Sequence, residues 1–216
     1  AGVDAGSNGT VSVDGAGSSI DAGPDARIGV AGTGALDVTN GGAFNSTRLF
    51  GSVLLGSSSS ISVDGTGSNI DLRGTDEFGN GPIALIGLAG TSTLDVKNGA
   101  TVNIDNNGEA ITTTLRGGLL IGGTSTSPTG NGTVNIDGAG SAMDIATSDA
   151  SMQVGRNGTG ELNITGGGKL TNSAGDGLAI VGRTAVSTGT VLVSGTGSEW
   201  QAGNQLVVGS EVDLST

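Results

Sequence analysis

Apolar and polar residues alternate in short bursts along this chain. Val11 and Val13 flank Ser12, Val134 and Ile136 flank Asn135, and Leu36-Asp-Val38, Leu94-Asp-Val96 and Leu162-Asn-Ile164 keep the same rhythm. A period of two predicts strands with one face turned inward. After the bursts come single apolar positions (Ile20, Ile70, Met143, Trp200), and then an apolar residue joined to glycine. That last mark falls at Ile28-Gly29, Leu55-Gly56, Ile86-Gly87, Ile121-Gly122, Val154-Gly155, Val181-Gly182 and Val208-Gly209. Steps between its glycines are 27, 31, 35, 33, 27 and 27 residues. No segment of useful length has a helical period.

Two kinds of unit carry the bursts, and they alternate without exception. One is Thr10-Val-Ser-Val-Asp-Gly-Ala-Gly-Ser18, repeated as Ser60-Ile-Ser-Val-Asp-Gly-Thr-Gly-Ser68, Thr133-Val-Asn-Ile-Asp-Gly-Ala-Gly-Ser141 and Thr190-Val-Leu-Val-Ser-Gly-Thr-Gly-Ser198. The other is Leu36-Asp-Val-Thr-Asn-Gly-Gly-Ala43, Leu94-Asp-Val-Lys-Asn-Gly-Ala100 and Leu162-Asn-Ile-Thr-Gly-Gly-Gly168. Two or three short strands parted by glycine turns make one coil of a solenoid. The expected fold is therefore all-β: a right-handed parallel β-helix (β-solenoid) of roughly seven to eight coils. A propeller blade needs about four longer antiparallel strands and an aromatic signature, and both are missing. Glycine suits the corners because it takes positive φ without a Cβ clash, and an Asp or Asn beside it is expected to bond the turn backbone. In this fold a thin core becomes continuous only through its neighbours.

Composition sharpens this picture. There are 44 glycines in 216 residues, no cysteine, histidine or tyrosine, and only 2% aromatics. A globular core of this size ordinarily draws on large aromatics, so the core expected here is aliphatic and repetitive. Glycine has no three-residue period, which excludes collagen, and the regular β-branched bursts argue against a disordered linker. Net charge is −12, from 20 acidic and 8 basic side chains. Such a chain repels polyphosphate and anionic lipid, so neither nucleic acid nor a lipid surface is an expected partner. The charge also keeps an apolar-cored rod soluble. Without cysteine there is no disulfide and no thiolate metal site. No run approaches the ~18 apolar residues of a membrane helix, so membrane insertion by this segment is not expected. No leader is recognisable, and the pattern is cut at both ends. Residues 1–216 thus read as a single solenoid segment of a longer protein, with further coils or caps expected over the open strand edges.

These units resemble the repeats of type V-secreted, autotransporter-like passenger proteins, in the glycine-rich class whose GxLxVxGGA and GTVxVDGxGSxW units alternate. Gly160-Glu-Leu-Asn-Ile-Thr-Gly-Gly-Gly168 and Gly189-Thr-Val-Leu-Val-Ser-Gly-Thr-Gly-Ser-Glu-Trp200 match best, and the resemblance covers nearly the whole chain. It implies a β-helical passenger exported through the outer membrane of a Gram-negative bacterium and displayed at the cell surface. The family's C-terminal membrane barrel is not in this sequence. Passengers of this kind serve as adhesins, aggregation factors and stalks. The partners implied are a host-cell or matrix surface component, or further copies of the passenger.

Departures from the regular coil locate candidate function, because binding residues in solenoids ride on insertions. From the turn glycine to the next apolar-glycine mark, five coils take 13 to 16 residues. Gly65 to Ile86 takes 21, and Gly99 to Ile121 takes 22. These two insertions fall in consecutive coils at one phase, so they are expected to stack on one side of the rod. The first holds Arg73, Asp76, Glu77, Phe78 and Asn80, and the second Asp105, Asn107 and Glu109. Together they form the candidate binding patch. A third extension, Thr124-Ser-Thr-Ser-Pro-Thr-Gly130, lies at another phase. The competing reading is a tolerated surface insertion, since loops lengthen at small thermodynamic cost.

Other chemistries fit less well. Asp105, Asn107 and Glu109 place oxygens at alternate positions but do not complete a calcium loop or a calcium-binding β-roll repeat. No metal or cofactor is expected. Asp14, Asp64 and Asp137 recur at equivalent corners, where the fourth has Ser194, and this points to turn chemistry over a ligand row. The usual general bases and thiol nucleophiles are missing, so the chain is read as no enzyme. Paired carboxylates leave a polysaccharide-acting enzyme as the alternative, and a ligand-free spacer is another. Outward threonines do not repeat coil after coil, which disfavours an ice- or mineral-binding face. Trp200 stands where other units carry Ile20, Ile70 and Met143, and is expected in the core.

Overall fold

A computed structural model describes residues 1–112, 117–147, 151–173 and 177–209, and among them there are strands and turns but no helix. Three parallel sheets of seven strands each stack into a β-solenoid of seven coils. The first sheet takes Asn8–Asp14, Thr33–Thr39, Ser58–Asp64, Thr91–Lys97, Asn131–Asp137, Thr159–Thr165 and Thr188–Ser194, all of seven residues. The second takes Ser19–Asp21, Ala43–Ser46, Asn69–Arg73, Thr101–Asp105, Ala142–Ile145, Lys169–Asn172 and Glu199–Gln201. The third takes Asp25–Ile28, Arg48–Gly51, Ile83–Ile86, Gly118–Ile121, Ser151–Val154, Leu178–Val181 and Gln205–Val208.

Alternation along each strand becomes a column across the coils. Leu36 pairs with Ile61, Ile61 with Leu94, Leu94 with Val134 and Val134 with Leu162, and all five are fully buried. Phe44, Ile70, Val102, Met143 and Leu170 make the matching column of the second sheet, which Trp200 continues, packed against the core as expected. Each enclosed Leu or Ile is worth about 1.5–3 kcal/mol, and in-register strands ~4.8 Å apart leave no gap between them.

The first corner, between the first and second sheets, explains why two units alternate. Its turns hold four and three residues in strict succession, from 15–18 and 40–42 up to 195–198. In the three-residue turns Asn40 and Gly41 take φ of 52° and 85°, and Asn98 and Gly99 take 54° and 83°, the paired positive φ of a type I′ turn. Each of these turns is gripped from both sides. From the coil before, Asp14 accepts the Thr39 hydroxyl and the Asn40 amide at 2.7 Å each, Asp64 accepts the Asn98 amide at 2.7 Å, and Asp137 accepts the Thr165 hydroxyl at 2.6 Å. From the coil after, the Ser68, Ser141 and Ser198 hydroxyls accept the N–H of Gly41, Gly99 and Gly167 at 3.0 Å. Those hydroxyls in turn donate to the carbonyls of Asp64, Asp137 and Ser194. The aspartates therefore reach across coils and do not bond their own turn, a correction to the expectation from turn chemistry. Two like turns stacked together would set Asp on Asp, which alternation avoids.

At the third corner the apolar-glycine mark is a residue of positive φ that ends each third strand: Gly29, Gly87, Gly122, Gly155, Gly182 and Gly209. Gly2 adds one more member below the first coil. In the second coil the mark shifts. Gly51, not Leu55, is in register with Ile28 and Ile86, and Ser52 takes the positive φ of 55°. The reason is a buried serine cluster. Ser52 donates to Ser59 at 3.1 Å, Ser59 and Ser92 lie 2.6 Å apart, and a Cβ at Gly51 would stand 2.2 Å from the Ser92 hydroxyl. Leu54 and Leu55 accordingly lie outside the core, 50% and 77% exposed.

Candidate binding surface

The two long insertions occupy the second corner, between the second and third sheets. Residues 74–82 join Asn69–Arg73 to Ile83–Ile86, and 106–117 join Thr101–Asp105 to Gly118–Ile121. They stack on one side, as their common phase predicts, and they are sewn together. The Gly74 N–H donates to the Asp105 carbonyl at 3.1 Å, and the Thr112 N–H to that of Gly79 at 3.0 Å. Glu109 accepts both the N–H and the hydroxyl of Thr75 at 2.7 Å. Those bonds, the hydroxyl first, hold its carboxyl below the ordinary range. The third extension lies at the third corner, apart from them, closed by paired bonds between Thr124 and Ser127.

Asp76 organises the first insertion. Its side chain, 2% exposed, accepts the N–H groups of Phe78 and Asn80, the Asn80 amide, and the Arg48 guanidinium at 2.9 Å. Burial alone would raise its pKa. The Asn80 and Phe78 bonds and the Arg48 charge outweigh burial and leave it lowered. Arg48 continues to Asp25 at 2.6 Å and, with Arg27, sits 5.8 Å from the Phe50 ring centre. The insertion is thereby anchored two coils below itself. In the second insertion Asp105 accepts the Asn107 N–H at 2.8 Å, and Asn107 takes a positive φ of 53°.

The eight candidate residues therefore divide. Asp76, Asn80, Asp105 and Glu109 are occupied in holding the loops. Arg73, Glu77, Phe78 and Asn107 are exposed, Phe78 by 69%, although Arg73 keeps an ion pair of 3.2 Å with Asp71. Below the first insertion runs an open groove of about 580 Å³, lined by Asp21, Asn45, Asp71, Arg73, Thr75 and Glu77. Its floor is the outward column of the second sheet, where Asp71 accepts the amides of Asn69 and Asn103. Among the described residues no three carboxylates gather closely enough to hold a metal ion, and no helix is long and apolar enough to cross a membrane.

One feature escaped the reading of alternation. The outward face of the third sheet carries a second apolar cluster in these same two coils: Ile83, Leu85 and Leu120, with Phe50 and Leu88 packed against it. Its signal is the unbroken apolar runs Ile83-Ala-Leu-Ile86 and Leu119-Leu-Ile121, since a strand buried on both faces does not alternate. The insertions and the extra core occur together.

Compared with known proteins, the chain matches no family model, no curated sequence and no solved structure.

Proposed function

We propose that this chain is part of a surface-displayed passenger of a Gram-negative bacterium, in which the solenoid is a stiff stalk and the paired insertions of the third and fourth coils are its binding surface. The observation that carries this reading is the sewing of the two insertions to each other and to Arg48. A merely tolerated loop needs no such anchorage, whereas a recognition surface gains affinity from being held in place before its partner arrives. The partner is a host-cell or matrix surface component with an apolar recess for Phe78 and polar groups for Glu77, Arg73 and Asn107. Exposed aromatics ringed by polar side chains are the usual anchors of such contacts. Copies of the chain also associate laterally through the outward Ser, Thr and Asn columns, an association strengthened by salt because the acidic rods repel each other.

The test is binding of the purified chain to host cells and matrix components, with and without residues 74–81, alongside Phe78→Ala. Saturable binding lost on deletion and weakened at least tenfold by Phe78→Ala is the expected result. Equal binding by all three forms removes the patch from the reading, and no binding by any form leaves a stalk alone.

A further inference from the structure

Five of the basic side chains are matched to carboxylates: Arg27 and Arg48 to Asp25, Arg73 to Asp71, Lys97 to Asp64 and Lys169 to Glu199. Arg156 is not. Among the described residues no hydrogen bond or ion pair engages its guanidinium, and its Nε is enclosed without an acceptor. Arg156 follows the positive-φ glycine of the third corner in the fifth coil, and Arg183 does so in the sixth. The Arg183 N–H donates to the Gly155 carbonyl at 3.0 Å, so the two cations rise from neighbouring turns ~4.8 Å apart. The same position is Val30, Val53 and Leu88 in the first three coils.

Two more enclosed polar atoms lack partners at this corner, Asn157 Oδ1 and Thr184 Oγ1. Thr184 can donate, and the Asn157 amide turned end for end donates as well. No acidic residue occurs in the turns 122–130, 155–158 or 182–187, in a chain that has 20 acidic side chains. Burial and the like charge of Arg183 both disfavour the charged form of Arg156. An enclosed guanidinium without an acceptor, set beside a hydroxyl and an amide that also lack partners, is unfavourable alone, and it matches the oxygens of an oxyanion.

We propose that the third corner of the fifth and sixth coils binds an oxyanion, a phosphate, sulfate or carboxylate group, with Arg156 as principal donor and Thr184 and Asn157 beside it. Arg183 is engaged by the Gln153 side-chain oxygen at 3.5 Å and adds only its positive charge from the next turn. Thr184 also lines an open groove of about 430 Å³ with Val181, Ala185, Ser187 and Val208, along which a larger ligand carrying that group lies. The site is at a different corner from the insertions, so it stands or fails separately from them.

The experiment is thermal unfolding of the chain in sodium phosphate against sodium chloride of equal ionic strength, for the natural sequence, Arg156→Gln and Arg27→Gln. A ligand that binds only the folded state raises the midpoint in proportion to its occupancy. The expected result is a rise of several degrees for the natural sequence and for Arg27→Gln, and none for Arg156→Gln. An equal rise in all three is general exclusion of phosphate from protein surface, and it overturns the site, as does no rise in any. Should Arg156→Gln fail to fold, the Arg156 Nε–H resonance of the natural sequence decides. It shifts saturably with phosphate if the site exists and stays unmoved if it does not. Acetate and poly-glutamate, run the same way, distinguish a free ion from a group borne on a polymer.

Discussion

At the first corner every coil turns in three or four residues and the five inner coils are tied to both neighbours through Asp and Ser, while at the second corner the connections run from the single Thr47 to the twelve residues of 106–117. The difference lies in what each turn residue must meet. A residue added at the first corner would pull a serine hydroxyl off the glycine below and an aspartate off the turn above. Among the described residues the second corner has cross-coil bonds, such as Ser46 to the Gly23 carbonyl, but no Asp and Ser grip repeated from coil to coil, and the long insertions that occupy it make their own links. Coil stacking therefore lets connections lengthen away from the first corner, and the two long insertions are found at the second.

That comparison is open to direct attack. The largest effect is expected from moving residues 74–81 into the 138–141 turn. Circular dichroism and thermal melts should then show the upper coils unfolded, whereas simple deletion of 74–81 should leave one cooperative transition; equal melts for both would mean the corners do not differ. Next, Ser141→Ala removes a donor to Asp137 and an acceptor for Gly99. It should lower stability by about 1–2 kcal/mol, measured by urea unfolding. Ser18→Ala should change it by less than about 0.5 kcal/mol, since the only bond at Ser18 that enters the turn is its backbone N–H to Gly15.

A smaller and local effect belongs to pH. Asp76 and Glu109 are held below their ordinary values of 3.8 and 4.5 in the folded chain. Their contribution is therefore complete above those values and drains away as pH falls through the lower folded ones. Amide exchange in 74–82 should quicken below about pH 4 while the first-sheet strands stay protected. Asp76→Asn should give the faster exchange already at neutral pH. Last, Phe78→Ala should move global stability by no more than about 0.5 kcal/mol, because an exposed side chain has little packing to lose. A large loss would show that Phe78 is structural and not an anchor.

Coil number, parallel stacking and the inward faces were legible because alternation is local: Val134 and Ile136 declare a strand whatever lies above them. The shared phase of the insertions was legible from counting. Roles that depend on the next coil were not. Asp14 looked like a residue of its own turn and serves Thr39 and Asn40 instead. Leu55-Gly56 copied the apolar-glycine mark, yet the register of Gly51 set the coil boundary four residues earlier, with Ser52 in the place of Gly56. Asp76 resembled an exposed ligand group, and Arg48, which lies 28 positions away, draws it inward.

The sequence by itself determined that each unit is one coil with an aliphatic lining, since strand period and turn glycines act within a few residues. Which side chain meets which was decided only in the tertiary structure. Partners there lie 23 to 42 residues apart, as with Arg48 on Asp25 and Gly99 on Ser141, and the corner lengths between them set the register. The alternating Asp and Ser grips, the anchorage of the insertions and the unpaired Arg156 all arise at that level, where coils touch.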